Sequence, residues 1–175
     1  MNTYSVVCKI LGAAMIIFST YVTGKKIEKN YTKRVEKLNE IKSILIYLEN
    51  LIKTTNKVLQ SCFEVCATQY KGDGSKIFYD AADNLKMERS TPESAWAKAV
   101  DDNELYLKQQ DINIIKELGK LLGATDRDGQ AENISNVMKR LENQQIEAEK
   151  ERAKDGKVAG KLSLAVGAGI VILLL

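Results

Sequence analysis

The 175 residues suffice for one domain with a sizeable core, and a composition of 45% hydrophobic and 28% charged residues excludes both a disordered chain and one wholly buried in lipid. A net charge of +3, with Lys and Arg interleaved among Glu, is too mild to argue for nucleic acid as a partner. Histidine is absent, which removes Ser-His-Asp and Cys-His catalysis, His-ligated zinc and the commonest general base. A single proline, few aromatics and long polar-apolar runs indicate an all-α protein. Cys8, Cys62 and Cys66 are odd in number and make no disulfide framework. Cys62 and Cys66, one helical turn apart, read as small buried apolar groups in a reducing compartment, since no second cysteine pair or histidine completes a metal site.

In chain order, residues 4–23, YSVVCKILGAAMIIFSTYVT, supply about the twenty needed to cross a bilayer, with Lys9 placed to snorkel near one end. The rival is a cleaved signal peptide. Against it, the positive charge follows the apolar run, at Lys25, Lys26, Lys29, Lys33 and Arg34, and no small-residue cleavage site stands out. The positive-inside rule then puts the downstream chain in the cytoplasm. Apolar residues continue at Ile27, Tyr31, Val35, Leu38, Ile41, Leu45, Leu48 and Ile52, alternating threes and fours along one helix that runs on from the membrane segment. The KTTN at 53–56 predicts a bend or a new start.

A second helix carries Val58, Leu59, Cys62, Phe63 and Cys66. The KGDGS turn at 71–75 leads to a third, capped by Ser75 and burying Ile77, Phe78, Ala81 and Leu85. Thr91 as N-cap, Pro92 at the first helical position and Glu93 in the first turn start a fourth, whose apolar face is Ala95, Trp96, Ala99 and Val100. Trp96 reads as core packing in preference to a binding anchor. A fifth helix aligns Ile112, Ile115, Leu118 and Leu122.

The stretch KLLGATDRDGQAENI at 120–134 has to be weighed as a calcium loop. With Gly129 at position 6 of such a loop, Asp126 and Asp128 take positions 3 and 5, but Ala124 and Ser135 fall where the first and the bidentate last ligands belong. A helix stop at Gly123 and a restart capped by Thr125 or Asp126 needs no missing parts. The sixth helix carries Ile134, Val137, Met138 and Leu141, then turns polar through ENQQIEAEKERAKDGK as a solvated stalk. Residues 158–175 close the chain with an apolar run of about 27 Å as helix, enough to cross with slight thinning if Lys161 snorkels, the rival being a helix that enters without crossing. Ser163/Gly167 and Ala165/Gly169 are small pairs that would let it approach the first helix closely.

The expected architecture is a six-helix bundle on a long antiparallel pair formed by the first and sixth helices. Transmembrane helices at 4–23 and 158–175 flank a cytoplasmic helical domain at 25–157. Lys25, Lys26, Lys29, Lys157 and Lys161 form the basic flanks at the membrane interface. The acids Asp101, Asp102, Asp126 and Asp128 are better explained by turns and caps than by metal chemistry, and neither a metal nor a cofactor is expected. Arg127 and Asp128 display more charge than capping requires and are the candidate partner contacts.

Taken in order, KILGAAMII, TPESAWAKAV, LGKLLGATDRDGQAENI, EAEKERAKDGK and GIVILLL make the chain resemble the stage III sporulation protein AB family over nearly its full length. The ligand count of Asp101, Asp102, Asp126 and Asp128 argues against an enzyme, and the resemblance implies a membrane-anchored helical domain similar to the cytoplasmic domain of type II secretion F platform proteins. It further implies a place in the channel apparatus between mother cell and forespore, in the mother-cell-derived outer forespore membrane. The partners implied are other channel proteins and a cytoplasmic ATPase, stage III sporulation protein AA. A membrane-tethered sensor or adaptor unrelated to secretion is the alternative.

Overall fold

Helix α1 (Thr3–Thr54) runs unbroken from the apolar amino-terminal stretch into the charged one. It stops where the sequence places β-branched residues. The hydroxyls of Thr54 and Thr55 donate back to the carbonyls of Asn50 and Leu51, both at 2.7 Å, and residues 55–58 leave the helical path. The remaining elements are α2 (Leu59–Gln69), α3 (Asp73–Asn84), α4 (Pro92–Asp101), α5 (Gln109–Leu121), α6 (Arg127–Glu151), a π-helical turn (Arg152–Gly156) and α7 (Lys157–Leu174). This computed structural model describes residues 3–87, 90–103, 105–122 and 125–174; the side chains of residues 3–8, 10, 127 and 174 fall outside the description as well. Among the described residues there is no strand, and the protein is all-α.

The chain divides into two compact units, one of Met1–Lys33 with Ala148–Leu175 and one of Arg34–Glu147. The larger unit gathers six helical segments: the later part of α1, helices α2 to α5, and most of α6. Its centre is aromatic. Phe63, Phe78 and Trp96 are each fully buried, with ring centroids 5.1 to 5.9 Å apart, arrangements that add to the gain from area alone. The Trp96 indole donates to the Ile115 carbonyl at 2.6 Å, which ties α4 to α5. Gly119 makes room for it, since a Cβ there would sit 3.0 Å from the Trp96 Cβ. Cys62 and Cys66 pack in the same core. Burial pushes the Cys62 thiol up and the Cys66 thiol up to about 12, so both stay protonated and inert at neutral pH.

Several local readings need correction. Val58 is exposed because it precedes the first turn of α2 as its N-cap. Helix α3 starts at Asp73, so Ser75 caps from inside the first turn: its hydroxyl accepts from the Gly72 amide at 3.3 Å and donates to the Gly72 carbonyl at 2.7 Å. The Gly74 amide is met by the Glu40 carboxylate of α1 at 2.9 Å, and Lys37 holds Glu40 in place at 2.6 Å. Two helices are joined by a cap supplied from a distant part of the chain. On α5 the buried face is Ile114, Ile115 and Leu118, with Ile112 only half-buried and Asp111 fully buried.

That aspartate is matched. The Arg34 guanidinium forks onto Asp111 at 2.8 and 3.0 Å and also reaches the Gln144 side-chain oxygen at 3.3 Å, linking α1, α5 and α6. Arg34 is therefore a core residue of the larger unit and does not belong to the basic flank after the first apolar run.

Candidate functional site on the antiparallel helix pair

In the smaller unit, the first part of α1 and α7 run antiparallel, and small residues set their separation. A Cβ added at Gly167 would meet Thr20, one at Gly24 would meet Ser163 and lie 3.3 Å from the Gly160 Cα, and one at Gly156 would touch Tyr31 at 3.6 Å. Partner numbers thus fall from 167 to 156 as those on α1 rise from 20 to 31. Of the two small pairs in the sequence, Ser163/Gly167 faces α1, whereas nothing lies within 4 Å of a Cβ at Gly169. Close backbone approach of this kind is how helices associate where water gives no hydrophobic driving force.

The outward faces are apolar. Leu11, Met15 and Phe18 on α1 and Leu162, Ile172 and Leu173 on α7 are between 59% and 87% exposed. Among the described residues, one helical run, Asp128–Leu173, is long and apolar enough to cross a membrane, with a mean hydropathy of 1.6 over its best window and little of that window buried. Helix α7 alone has 18 residues, about 27 Å.

Where the apolar faces give way to charge, Tyr21, Lys25 and Glu28 of α1 and Lys157, Gly160 and Lys161 of α7 line a cleft of about 290 Å³. Lys25 pairs with Glu28 at 2.9 Å, and the hydrogen bond to that carboxylate raises the lysine's pKa. Lys157 and Lys161 are exposed, one turn apart on the same face of α7, and form no ion pair among the described residues. A second hollow of about 330 Å³ shares Glu28 and Lys157 and adds Thr32, Arg152 and Ala153. Of the five interface lysines named from sequence, three meet at the cleft; Lys26 and Lys29 are exposed on α1 but do not line it. Tyr21 and Glu28 are not legible in the sequence as members, because no local signal says which α1 residues face α7.

The other sequence-named residues sit apart, in the larger unit. The Thr91 hydroxyl accepts from the Ser94 amide at 3.1 Å, the Ser94 hydroxyl accepts from the Thr91 amide at 3.0 Å, and Pro92 occupies the first turn. The Asp126 carboxylate accepts from the Gly129 amide at 3.0 Å, the geometry of an N-cap on α6. Gly123 lies outside the described residues. Arg127 opens α6 with its side chain outside the description, and Asp128 is exposed beside it.

Of the acids considered for a metal, Asp101 pairs with Lys116 at 2.5 Å, Asp102 with Lys98, and Asp126 caps α6. Among the described residues no three potential ligands come close enough together to hold an ion.

Comparison with known proteins agrees with this architecture. Residues 9–175 match the family described as stage III sporulation protein AB. Stage III sporulation protein AB of Bacillus subtilis (strain 168) is 28% identical over 169 residues, covering 95% of this chain and 99% of that protein. A solved structure of a stage III sporulation protein AB superposes with a TM-score of 0.64 at 24% identity, over 70% of this chain and 98% of that one, and shows the shared fold. The chain belongs to the stage III sporulation protein AB family and has a role in sporulation.

Proposed function

We propose that the chain is a non-catalytic, membrane-anchored docking component of the sporulation channel apparatus between mother cell and forespore. The observation that carries this reading is the antiparallel pairing of two helices whose outward faces are apolar. Water would solvate those faces poorly, whereas a bilayer solvates them well. If both helices cross, residues 24–157 lie on one side, and the lysines at the edge of the apolar faces make that side the cytoplasm. The membrane is the mother-cell-derived outer forespore membrane.

The larger unit supports a docking role over a catalytic one by how its polar groups are used. Among the described residues every buried side-chain nitrogen and oxygen has a hydrogen-bond partner, Asp101 and Asp102 serve ion pairs, and Asp126 serves a cap. The partner is a cytoplasmic ATPase, stage III sporulation protein AA, with other channel proteins meeting the membrane helices. Arg127 and Asp128, at the start of α6, contribute to ATPase docking, while Asp126 holds the helix start.

Two measurements test this. In a variant with Cys8, Cys62 and Cys66 replaced, a cysteine at Lys76, whose side chain is 67% exposed, should escape an impermeant thiol reagent in intact cells and react after lysis. Labelling of intact cells would overturn the orientation. In a pull-down titration the full chain should bind the ATPase more weakly as salt rises, and Arg127→Glu should weaken it further. Unchanged binding by that variant removes this turn from the interface.

A further inference from the structure

The cleft on the antiparallel pair has more structure than lysines snorkelling singly would give. Tyr21 and Lys25 are one turn apart on α1, Lys157 and Lys161 one turn apart on α7, and these four residues line the cleft together with Glu28 and Gly160. Gly160 is where the wall stays low: a Cβ there would approach only the Glu28 carboxylate, at 3.8 Å.

The charges in the cleft have different roles. Glu28 takes up Lys25 at 2.9 Å, which fixes that ammonium at the rim and screens the carboxylate. Lys157 and Lys161 are left with no acidic partner among the described residues. Three ammonium groups and one carboxylate leave the lining two positive charges in excess, next to a phenol that can donate a hydrogen bond.

The π-helical turn before Lys157 contributes to this placement. It lengthens the helical path by one residue and so rotates α7 by about 100° relative to an uninterrupted helix. That rotation brings Gly156, Gly160 and Ser163 against α1 and sets Lys157 and Lys161 on the flank that overlooks the cleft.

Resting on the reading that both helices cross the membrane, we infer that this cleft binds the phosphate headgroup of one anionic phospholipid of the cytoplasmic leaflet, with Lys157 and Lys161 as the phosphate ligands and Tyr21 as a hydrogen-bond donor. The acyl chains of that lipid have a ready surface in exposed apolar side chains about one turn deeper, Phe18 three residues before Tyr21 on α1 and Leu164 three residues after Lys161 on α7. Free phosphate shares the headgroup chemistry but would leave this surface unused. A basic residue at a membrane surface gains on the order of 1 kcal/mol from anionic lipid, so two lysines acting on one headgroup give a measurable preference.

The experiment uses the full chain purified in a neutral detergent and offered phosphatidylglycerol or phosphatidylcholine, with bound lipid counted by native mass spectrometry. Wild type should retain one phosphatidylglycerol at concentrations where phosphatidylcholine is lost. Lys157→Gln with Lys161→Gln should reduce that preference by about tenfold or more. Lys26→Gln with Lys29→Gln, which removes the same charge outside the cleft, should leave it unchanged.

Equal losses in the two double variants would mean a diffuse charge effect and would overturn the site. Displacement of the retained lipid by millimolar inorganic phosphate would overturn the lipid assignment in favour of a free-anion site. Alkaline carbonate extraction of membranes separates this inference from the anchoring beneath it. A chain that resists extraction yet shows no lipid preference sinks the headgroup site alone, while a chain that washes off sinks both.

Discussion

Removing Asp111 is the most informative single perturbation of the larger unit. Its carboxylate is fully buried and accepts two hydrogen bonds from Arg34, at 2.8 and 3.0 Å, and one from the Lys108 amide at 3.0 Å. Asp111→Ala leaves a guanidinium on a side chain only 5% exposed, with the Gln144 oxygen at 3.3 Å unable to replace the lost charge. Breaking a buried pair from one side costs about 3–5 kcal/mol, and loss of the bond from the Lys108 amide adds about 1 kcal/mol. Against a typical total of about 5–15 kcal/mol, that loss puts the unit near its unfolding threshold. Replacing both partners, Arg34→Met with Asp111→Leu, removes the buried charge and should recover most of the loss. The assay is urea denaturation of the full chain in mild detergent followed by emission of Trp96, the only tryptophan and fully buried. A loss below about 1 kcal/mol for Asp111→Ala would refute the idea that the pair carries a desolvated charge. A double variant as unstable as the sum of the singles would show that the two residues do not act on each other.

Three further outcomes follow from the geometry. With the native cysteines replaced, Thr20→Cys and Gly167→Cys should form a disulfide under mild oxidation, because a Cβ at Gly167 lies 3.2 Å from the Thr20 Cβ; Thr20→Cys with Gly169→Cys should not. In a Cys8→Ser chain, Cys62 and Cys66 should resist a thiol reagent at pH 8 and react at once in urea. Because the folded Cys66 is raised from 9.0 to about 12, the stability it confers is intact below pH 9 and lost as pH rises toward 12, a decline that Cys66→Ala should flatten. Asp126→Ala should cost about 1 kcal/mol by leaving the Gly129 amide uncapped, with the melting midpoint of wild type indifferent to calcium; a calcium-dependent rise abolished by Asp126→Asn would restore the metal reading.

What the sequence made legible was periodic or local. The threes and fours from Val35 to Ile52 mark a face that is buried at Val35, Leu38, Ile41, Leu45, Leu48 and Ile52, and Thr91-Pro92 marks a helix start from residues that are neighbours in the chain. What stayed hidden depends on partners far away in sequence. Arg34 and Lys37 fall on the buried stripe of α1, and their burial depends on distant groups: Arg34 is met by Asp111, 77 residues on, and Lys37, besides its neighbour Glu40, by Asp73 of α3 at 3.7 Å. Read locally, Arg34 looks like one more cation in a basic cluster.

The same distinction explains the π turn. On α6 the buried residues are Ala131, Ile134, Val137, Leu141, Gln144 and Ala148, and from Ile134 the alternating threes and fours of an unbroken α-helix would continue through Glu151 and Asp155. Carrying that stripe on would set two carboxylates against α1, where buried charge is costly. The extra residue of the π turn moves Gly156 into the buried position, and Gly160, Ser163 and Gly167 then follow at fours and threes against Tyr31, Gly24 and Thr20. The misfit between the two stripes is present in the sequence as charged residues where apolar ones are due. Only the antiparallel partner gives that misfit its meaning, since it is the close approach of α1 that selects glycine over aspartate at the seam.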